Sequence, residues 1–347
     1  FISIVLVGLV LMLVGLSEIG NIFGTATLPV TWKMLNIAGV FSVSINICTF
    51  LYAGMLVNRA KIARVNHLVD ATAIPNWTLL FSKVIALVKM QIVLLAVILI
   101  AGVLFQLYNG YYNFEFGHYL QELFLLSILG YVVWAFLSIF IQTLIGNPYL
   151  GLFILLVISI GMPFLSLAGV EQSIFKYNQG PGFSYSDMNG YGILTPFLVY
   201  KAYWILCGLV LLVMSALFWV RGIPASFAER LSLAKSRFKG GYAVSLVVFL
   251  VAFFSLGFSI YQETGSKGKR TSSKEAELRR VEWEKKYKRF ENYEQPRVIA
   301  VNTTMDIFPK ERLFKASAKI QMVNKTANAI DSVFLNHNSL KSTFEFS

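Results

Sequence analysis

The chain has 347 residues, of which 56% are hydrophobic and only 14% are charged, and its mean hydropathy is +0.64. These values exclude an ordinary soluble globular domain and predict a protein whose solvent is the lipid bilayer. The net charge is +12, but no basic stretch is interleaved with aromatic residues, so we expect no nucleic-acid partner. More than half of all charged residues follow Gln262, which places a boundary there.

Seven apolar segments predict transmembrane helices. About 20 predominantly apolar residues cross the roughly 30 Å of bilayer hydrocarbon as a helix, and the segments that meet or approach this length are 1–16, 37–57, 84–107, 122–145, 149–168, 197–220 and 242–261. Asn147 and Pro148 separate the fourth and fifth segments and predict a tight helical hairpin, because proline cannot continue a helix. The predicted fold class is a mainly α, polytopic membrane protein with about seven transmembrane helices and a small C-terminal antiparallel β segment.

The basic residues of the loops predict the orientation. Nine Lys and Arg residues lie in the loops 58–83 and 221–241, whereas the loops at the other end of the predicted spans hold only Lys33 and Lys176. Basic residues concentrate in short cytoplasmic loops, so the nine residues mark the cytoplasmic face. Seven crossings then place the residues after Gln262 on the outside.

The last part of the chain predicts a stalk followed by strands. Residues 263–296 are charged and favour a stalk helix or linker. Their many basic residues argue for the cytoplasm, but long domains cross membranes largely regardless of charge, and we keep the outside assignment. After Pro296 a period of two predicts antiparallel strands at about 298–303, 313–323, 331–336 and 342–346. Such a sheet is incomplete at Ser347, and the chain starts at Phe1 without Met, so we expect a fragment of a longer protein.

The loop 58–83 carries the most information about function. A basic stretch with Arg59, Lys61 and Arg64 precedes Asp70, and the chain then returns to the membrane through Pro75 and Trp77. The spacing of Ile62, Val65 and Leu68 predicts one apolar helix face along the membrane interface, with Trp77 as an anchor at headgroup level. This pattern favours a helix that couples to a partner protein. The alternative is a lipid-contacting loop whose charges set topology.

Two further features allow more than one interpretation. The loop 169–196 is rich in Gly, Tyr, Asn and Ser, so it could cover a gate or contact a substrate, or it could be a plain connector. Lys89, Lys201 and Glu122 lie within one to two turns of the ends of predicted spans, where they can extend to the interface. We therefore do not expect an ion relay.

Enzyme motifs are scarce in the sequence. His67, His118 and His337 form no His-Glu-x-x-His pair, and no Gly-rich phosphate-binding loop occurs. Cys48 and Cys207 both lie inside apolar runs, where cysteine behaves as a small hydrophobic residue. We therefore assign no catalytic, cofactor-binding or metal-binding residue in this chain.

Six spans, a basic segment between the second and third, and a longer outside loop before the sixth together resemble the permease subunit of type-2 ABC exporters. The segment "RAKIARVNHLVDATAIPNW" at 59–77 is similar to the coupling element of that family. The resemblance implies a separate cytosolic ATPase subunit, which alone would bind ATP, and a pair of permease units around the substrate path. The residues it assigns to partner coupling are Arg59, Lys61, Arg64, Asp70, Pro75 and Trp77.

The terminal strands resemble a second family. The runs "DIFP", "NKT" and "IDSVFLNH" are similar to the first strands of the amino-terminal β-domain of aminopeptidase N-like metallopeptidases. Bacterial proteins fuse an ABC permease to such a domain, so we expect the bacterial inner membrane with the C-terminal domain in the periplasm. The family's zinc ligands would lie beyond Ser347, and zinc is expected only there.

These observations divide the chain into four predicted parts. They are a six-span permease-like domain at 1–221, a cytosolic loop with a seventh span at 222–262, the stalk at 263–296 and an incomplete β-sandwich at 297–347. The leading hypothesis is the permease component of an ABC-type transporter. One alternative is a membrane anchor for a periplasmic zinc aminopeptidase-like domain, and another is a sensor or assembly scaffold.

Overall fold

The computed structural model describes residues 2–19, 21–22, 25–26, 28–188, 190–221, 227–266, 273–308 and 313–334. The chain divides into two compact units, Phe1–Arg270 and Thr271–Ser347.

The first unit consists almost entirely of helices. Apolar runs form helices in a bilayer because each helix satisfies its own backbone hydrogen bonds. The helices are α1 (Ile2–Ile19), α2 (Thr31–Ile62), α3 (Asn66–Asp70), α4 (Asn76–Tyr108), α5 (Phe116–Leu120), a π-helical turn (Gln121–Ser127), α6 (Ile128–Ile145), α7 (Pro148–Phe164), a 3₁₀ turn (Ser173–Phe175), α8 (Thr195–Phe218), α9 (Phe227–Arg237) and α10 (Gly241–Ser266). Two-residue strands form two small hairpins, β1 (Asn21–Ile22) with β2 (Thr25–Ala26) and β3 (Tyr185–Ser186) with β4 (Gly190–Tyr191).

Five helical segments among the described residues are long and apolar enough to cross a membrane. They are Phe41–Ile62, Asn76–Tyr108, Phe116–Ile145, Thr195–Phe218 and Gly241–Thr264. The apolar parts of α1 and α7 are shorter, at Ile2–Gly15 and Pro148–Phe164. The mainly helical class is thus confirmed, with five candidate spans among the described residues, and the count of seven spans stays a prediction.

The predicted hairpin between α6 and α7 is confirmed, and local chemistry explains it. Gly146 ends α6 with φ of 70°, a left-handed conformation that glycine adopts without strain. The side chain of Asn147 caps α7 by accepting hydrogen bonds from the backbone N–H groups of Tyr149 (3.0 Å) and Leu150 (3.3 Å). Pro148 occupies the first turn, where its missing N–H costs nothing. The helix then ends at Phe164, earlier than the predicted 168.

Glycines bring the helices of this unit close together. A Cβ on Gly208 of α8 would lie 2.4 Å from Cδ2 of Phe136 on α6, so the aromatic ring packs directly on the α8 backbone. The side-chain amide of Gln142 packs against two glycines in the same way. A Cβ on Gly54 would lie 2.9 Å from this amide, and a Cβ on Gly151 would lie 2.5 Å from it. Small residues at such contacts are typical of packing between membrane helices.

Polar side chains inside the bundle join helices that are distant in sequence. Gln106 of α4 donates hydrogen bonds to the Pro29 carbonyl (2.9 Å) and to Thr31 Oγ1 (3.4 Å), and it accepts one from Tyr119 (3.1 Å). This buried amide is therefore satisfied at both its nitrogen and its oxygen, as burial requires.

The second unit contains a helix and one long hairpin. Helix α11 (Ser273–Tyr287) falls within the predicted stalk. Strands β5 (Arg297–Phe308) and β6 (Leu313–Val323) pair antiparallel, with an irregularity between Val298 and Ala300, which confirms the small C-terminal antiparallel sheet. Nearly every residue of both strands is exposed.

The predicted strand at 331–336 is wrong for its first four residues. Residues 331–334 are irregular, and they are held against the turn that follows α11. The ring of Phe334 lies 4.7 Å from that of Phe290, and the Phe334 N–H donates to Gln295 Oε1 at 2.8 Å. The remainder of this predicted strand and the one at 342–346 lie outside the described residues.

Candidate functional site at the basic end of the helix bundle

Helix α2 stops inside the basic segment, so the predicted continuous apolar face is wrong. Arg64 adopts φ of 56°, and the N–H of Val65 bonds to the Ala60 carbonyl at 2.9 Å. This is the Schellman pattern, in which a left-handed residue ends a helix. Ile62 therefore belongs to α2, whereas Leu68 belongs to the separate five-residue helix α3.

The apolar side chains of this segment are nonetheless accessible. Leu68 is 73% exposed and Ile62 is 63% exposed, and Val65 and Ile74 are also exposed. They stand among the exposed basic side chains of Arg59, Lys61 and Arg64. A mixed apolar and basic surface of this kind is typical of a contact with another macromolecule or with lipid.

Arg221 connects the return of this segment to the end of α8. Its Nε donates to Asn76 Oδ1 (2.8 Å), Nη1 donates to the Thr72 carbonyl (3.1 Å), and Nη2 donates to the Ile74 carbonyl. A planar guanidinium can engage several oxygens at once because its donors form a rigid fork. The three contacts fix residues 72–76, including Pro75, just before α4 begins.

Trp77 contacts protein, and its anchoring at headgroup level stays a prediction. Its ring stacks on that of Tyr242 in the first turn of α10, with centroids 5.3 Å apart and an angle of 9° between the planes. Nearby, the ammonium of Lys83 lies 5.5 Å from the centroid of Trp219. The start of α4 is thus joined to both α8 and α10.

Two arginines of α9 cap the ends of neighbouring helices. Arg230 Nη1 donates to the carbonyls of Leu144 (2.7 Å) and Thr143 (3.3 Å) at the end of α6. Arg237 Nη1 donates to the carbonyls of Leu217 (3.3 Å) and Trp219 at the end of α8. Helix C-termini favour cations because their last carbonyls lack partners within the helix.

The predicted coupling residues lie in one continuous segment, and contacts from a remote loop hold its end. Arg59, Lys61, Arg64 and Pro75 are exposed and Asp70 is half-buried. Asp70 is close enough to Lys61 for an electrostatic interaction.

The roles of Arg221, Arg230 and Arg237 cannot be predicted from the sequence. They are recognisable there only as basic residues of the loop 221–241, because charge alone gives no information about which carbonyls an arginine meets.

The loop 169–196 packs onto the opposite end of the bundle. Tyr177 is buried and donates to the Val133 carbonyl at 2.7 Å, and Trp204 of α8 donates to the Gln179 carbonyl at 2.7 Å. Burial raises the pKa of Tyr177 well above its usual value. The described residues of this loop therefore pack as part of the helix bundle.

A His–Glu–Tyr cluster fastens the end of this loop to the helices. Tyr191 donates to Glu122 Oε2 at 3.1 Å, and Nε2 of His118 lies 3.1 Å from the same oxygen. The ring of Tyr185 lies 3.8 Å from that of His118. Burial, and then the Glu122 carboxylate, raise the pKa of Tyr191.

Lys201 is held by the loop at the end of the bundle. Its ammonium donates to Asn178 Oδ1 at 2.8 Å, and Asn178 in turn donates to the Gly130 carbonyl at 3.0 Å. This chain of contacts joins α8 to α6 through a residue of the loop.

The contacts at these two ends position loops against the ends of the helices. Across the part of the chain that the structure describes, no group of three or more His, Cys, Asp or Glu side chains could hold a metal ion. Comparison with protein-family models, with curated proteins and with solved structures found no match to this chain.

Proposed function

We propose that this chain is the membrane permease component of an ABC-type transporter, and that a separate ATPase subunit docks on residues 58–77. The observation that carries this proposal is the attachment of that segment by Arg221. A docking surface transmits force only when it is fixed to the elements that must move, and Arg221 fixes residues 72–76 to the end of α8.

The contacts around the segment support transmission into the helices. On one side the segment continues into α2 through the turn at Arg64, and on the other it leads into α4, where Trp77 stacks on α10. A partner that displaces α3 would therefore act on α2, α4, α8 and α10 together. The exposed apolar side chains of Ile62 and Leu68 supply area for such a contact, and the arginines supply complementarity to an acidic partner surface.

The wider arrangement is part of the same proposal. Seven helices cross the bacterial inner membrane, the basic end faces the cytoplasm, and two permease units assemble around the substrate path. The concentration of nine basic residues at one end of the spans supports this orientation. In this proposal the second unit lies in the periplasm.

The test is co-purification of the full chain with an ABC-type ATPase subunit encoded by the same genome and co-expressed with it. We expect Leu68→Asp, or charge reversal at both Arg59 and Arg64, to reduce the retained ATPase at least tenfold. Lys239→Glu is the matched control, because Lys239 is an exposed basic residue of the same end outside the segment.

Full retention of the ATPase by both altered proteins would contradict the docking proposal. By contrast, both the anchor hypothesis and the scaffold hypothesis predict that no such ATPase binds the unaltered chain. A bound ATPase whose hydrolysis rate responds to the chain therefore separates the permease from both alternatives.

A further inference from the structure

A groove of about 630 Å³ lies between α2 and α4. Leu51, Tyr52 and Met55 of α2 form one wall, and Ala86, Met90 and Val93 of α4 form the other. Both walls belong to helical segments long and apolar enough to cross a membrane. The groove is therefore a largely apolar depression between two candidate membrane-spanning helices.

One cation lines this groove. Lys89 is exposed in it, and its ammonium forms no hydrogen bond or ion pair with any residue that the structure describes. It lies 13 positions after Asn76, or about 20 Å along α4 at the rise of an α-helix. A lysine in the apolar surface of a candidate membrane span can extend toward headgroup level, where its unpartnered ammonium indicates a ligand that brings negative charge.

Basic residues on α2 and α4 become more frequent from the groove toward the basic end of the bundle. Arg59 follows Met55 by one helical turn on α2, and Lys83 precedes Lys89 by six residues, about 9 Å, on α4. Neither α2 nor α4 contains an Asp or Glu residue. The two helices themselves thus provide no counter-charge along this path.

We propose that the groove binds an anionic phospholipid, with an acyl chain against its apolar walls and the phosphate near Lys89 and Arg59. A long apolar trough that ends among cations matches a molecule with a hydrocarbon tail and an anionic head. A second copy of this chain fits less well, because a symmetric contact would bring Lys89 and Arg59 of one copy against the same two cations of the other. The proposal shares Arg59 with the docking surface, but Lys89 and Ala86, whose replacement tests it, lie outside residues 58–77.

The test measures lipid retention by the purified, delipidated full chain in detergent with native mass spectrometry. The probes are dioleoyl-phosphatidylglycerol and the zwitterionic dioleoyl-phosphatidylcholine at equal concentrations. We expect the unaltered chain to prefer phosphatidylglycerol. Lys89→Gln should lower its retention about fivefold, which corresponds to one basic side chain's share of attraction to anionic lipid. Lys89→Arg should keep it.

Two more variants complete the design. Ala86→Trp fills the groove and should reduce retention of both lipids, whereas Lys235→Gln removes an exposed charge from α9 and should change neither. Equal retention of the two lipids by the unaltered chain would overturn the proposal. Unchanged phosphatidylglycerol retention in Lys89→Gln would also overturn it. So would a disulfide cross-link between two copies of the Lys89→Cys variant that still forms when lipid is in excess.

Discussion

Replacement of Arg221 by alanine should loosen the segment 66–76 and leave the helix bundle folded. The substitution removes the donors to Asn76 Oδ1 and to the carbonyls of Thr72 and Ile74. A hydrogen bond to a charged group contributes about 1.5–3 kcal/mol, and less where solvent competes. Because two of the three bonds are exposed, we take their joint contribution to be about 2 kcal/mol.

This magnitude sets the expected result in a hydrogen-exchange experiment. Amides of α3 exchange when the segment opens locally, and a loss of about 2 kcal/mol raises the open population roughly 30-fold. Backbone amides of Ala71 and Thr72, which bond to His67 and Val69, should therefore exchange about 30-fold faster in Arg221→Ala. The measurement uses the full chain in lipid nanodiscs.

The controls distinguish the guanidinium fork from its charge. Arg221→Lys keeps the positive charge but cannot reach three oxygens in one plane, so it should recover only part of the protection. Lys235→Ala removes a charge from exposed α9 and should leave the segment unchanged. Exchange in Arg221→Ala that matches the unaltered chain would refute the attachment and the force transmission that depends on it.

Two more predictions concern packing and the opposite end of the bundle. Gly208→Val should lower the thermal unfolding midpoint in detergent, because overpacking against Phe136 costs about 1–3 kcal/mol. Gly161→Val is the control and should leave the midpoint unchanged, since a Cβ at that position meets no atom within 4 Å. An equal loss in both variants would contradict direct packing of α8 on Phe136. Glu122→Ala removes the acceptor of Tyr191 and should speed proteolysis within the loop 169–196 several-fold, with the helices intact. A cleavage rate equal to that of the unaltered chain would show that this contact does not hold the loop.

Features that depend on neighbouring residues could be predicted from the sequence. The hairpin between α6 and α7 follows from three consecutive residues, each with its own preference: Gly146 for a left-handed turn, Asn147 for capping and Pro148 for a first helical turn. The helical membrane class follows equally directly from long apolar runs.

Features that depend on distant residues could not be predicted. Arg221 meets Thr72 across 149 positions, and a sequence pattern shows only that both lie in loops of the same end. The end of α2 was missed for another reason, because the left-handed residue is Arg64 instead of the usual glycine. The sequence places Lys201 near a helix end, but its acceptor Asn178 belongs to a loop whose path the sequence does not determine.

Cysteine labelling tests most directly whether the basic end and the loop 169–196 face opposite sides of a membrane. Cys48 and Cys207 are first replaced by alanine, and single cysteines then replace Leu68, which is 73% exposed, and Met188, which is 93% exposed. A membrane-impermeant maleimide should label the cysteine at 188 in intact cells and the one at 68 only after permeabilisation. Labelling of both positions from the same side would contradict the transmembrane arrangement.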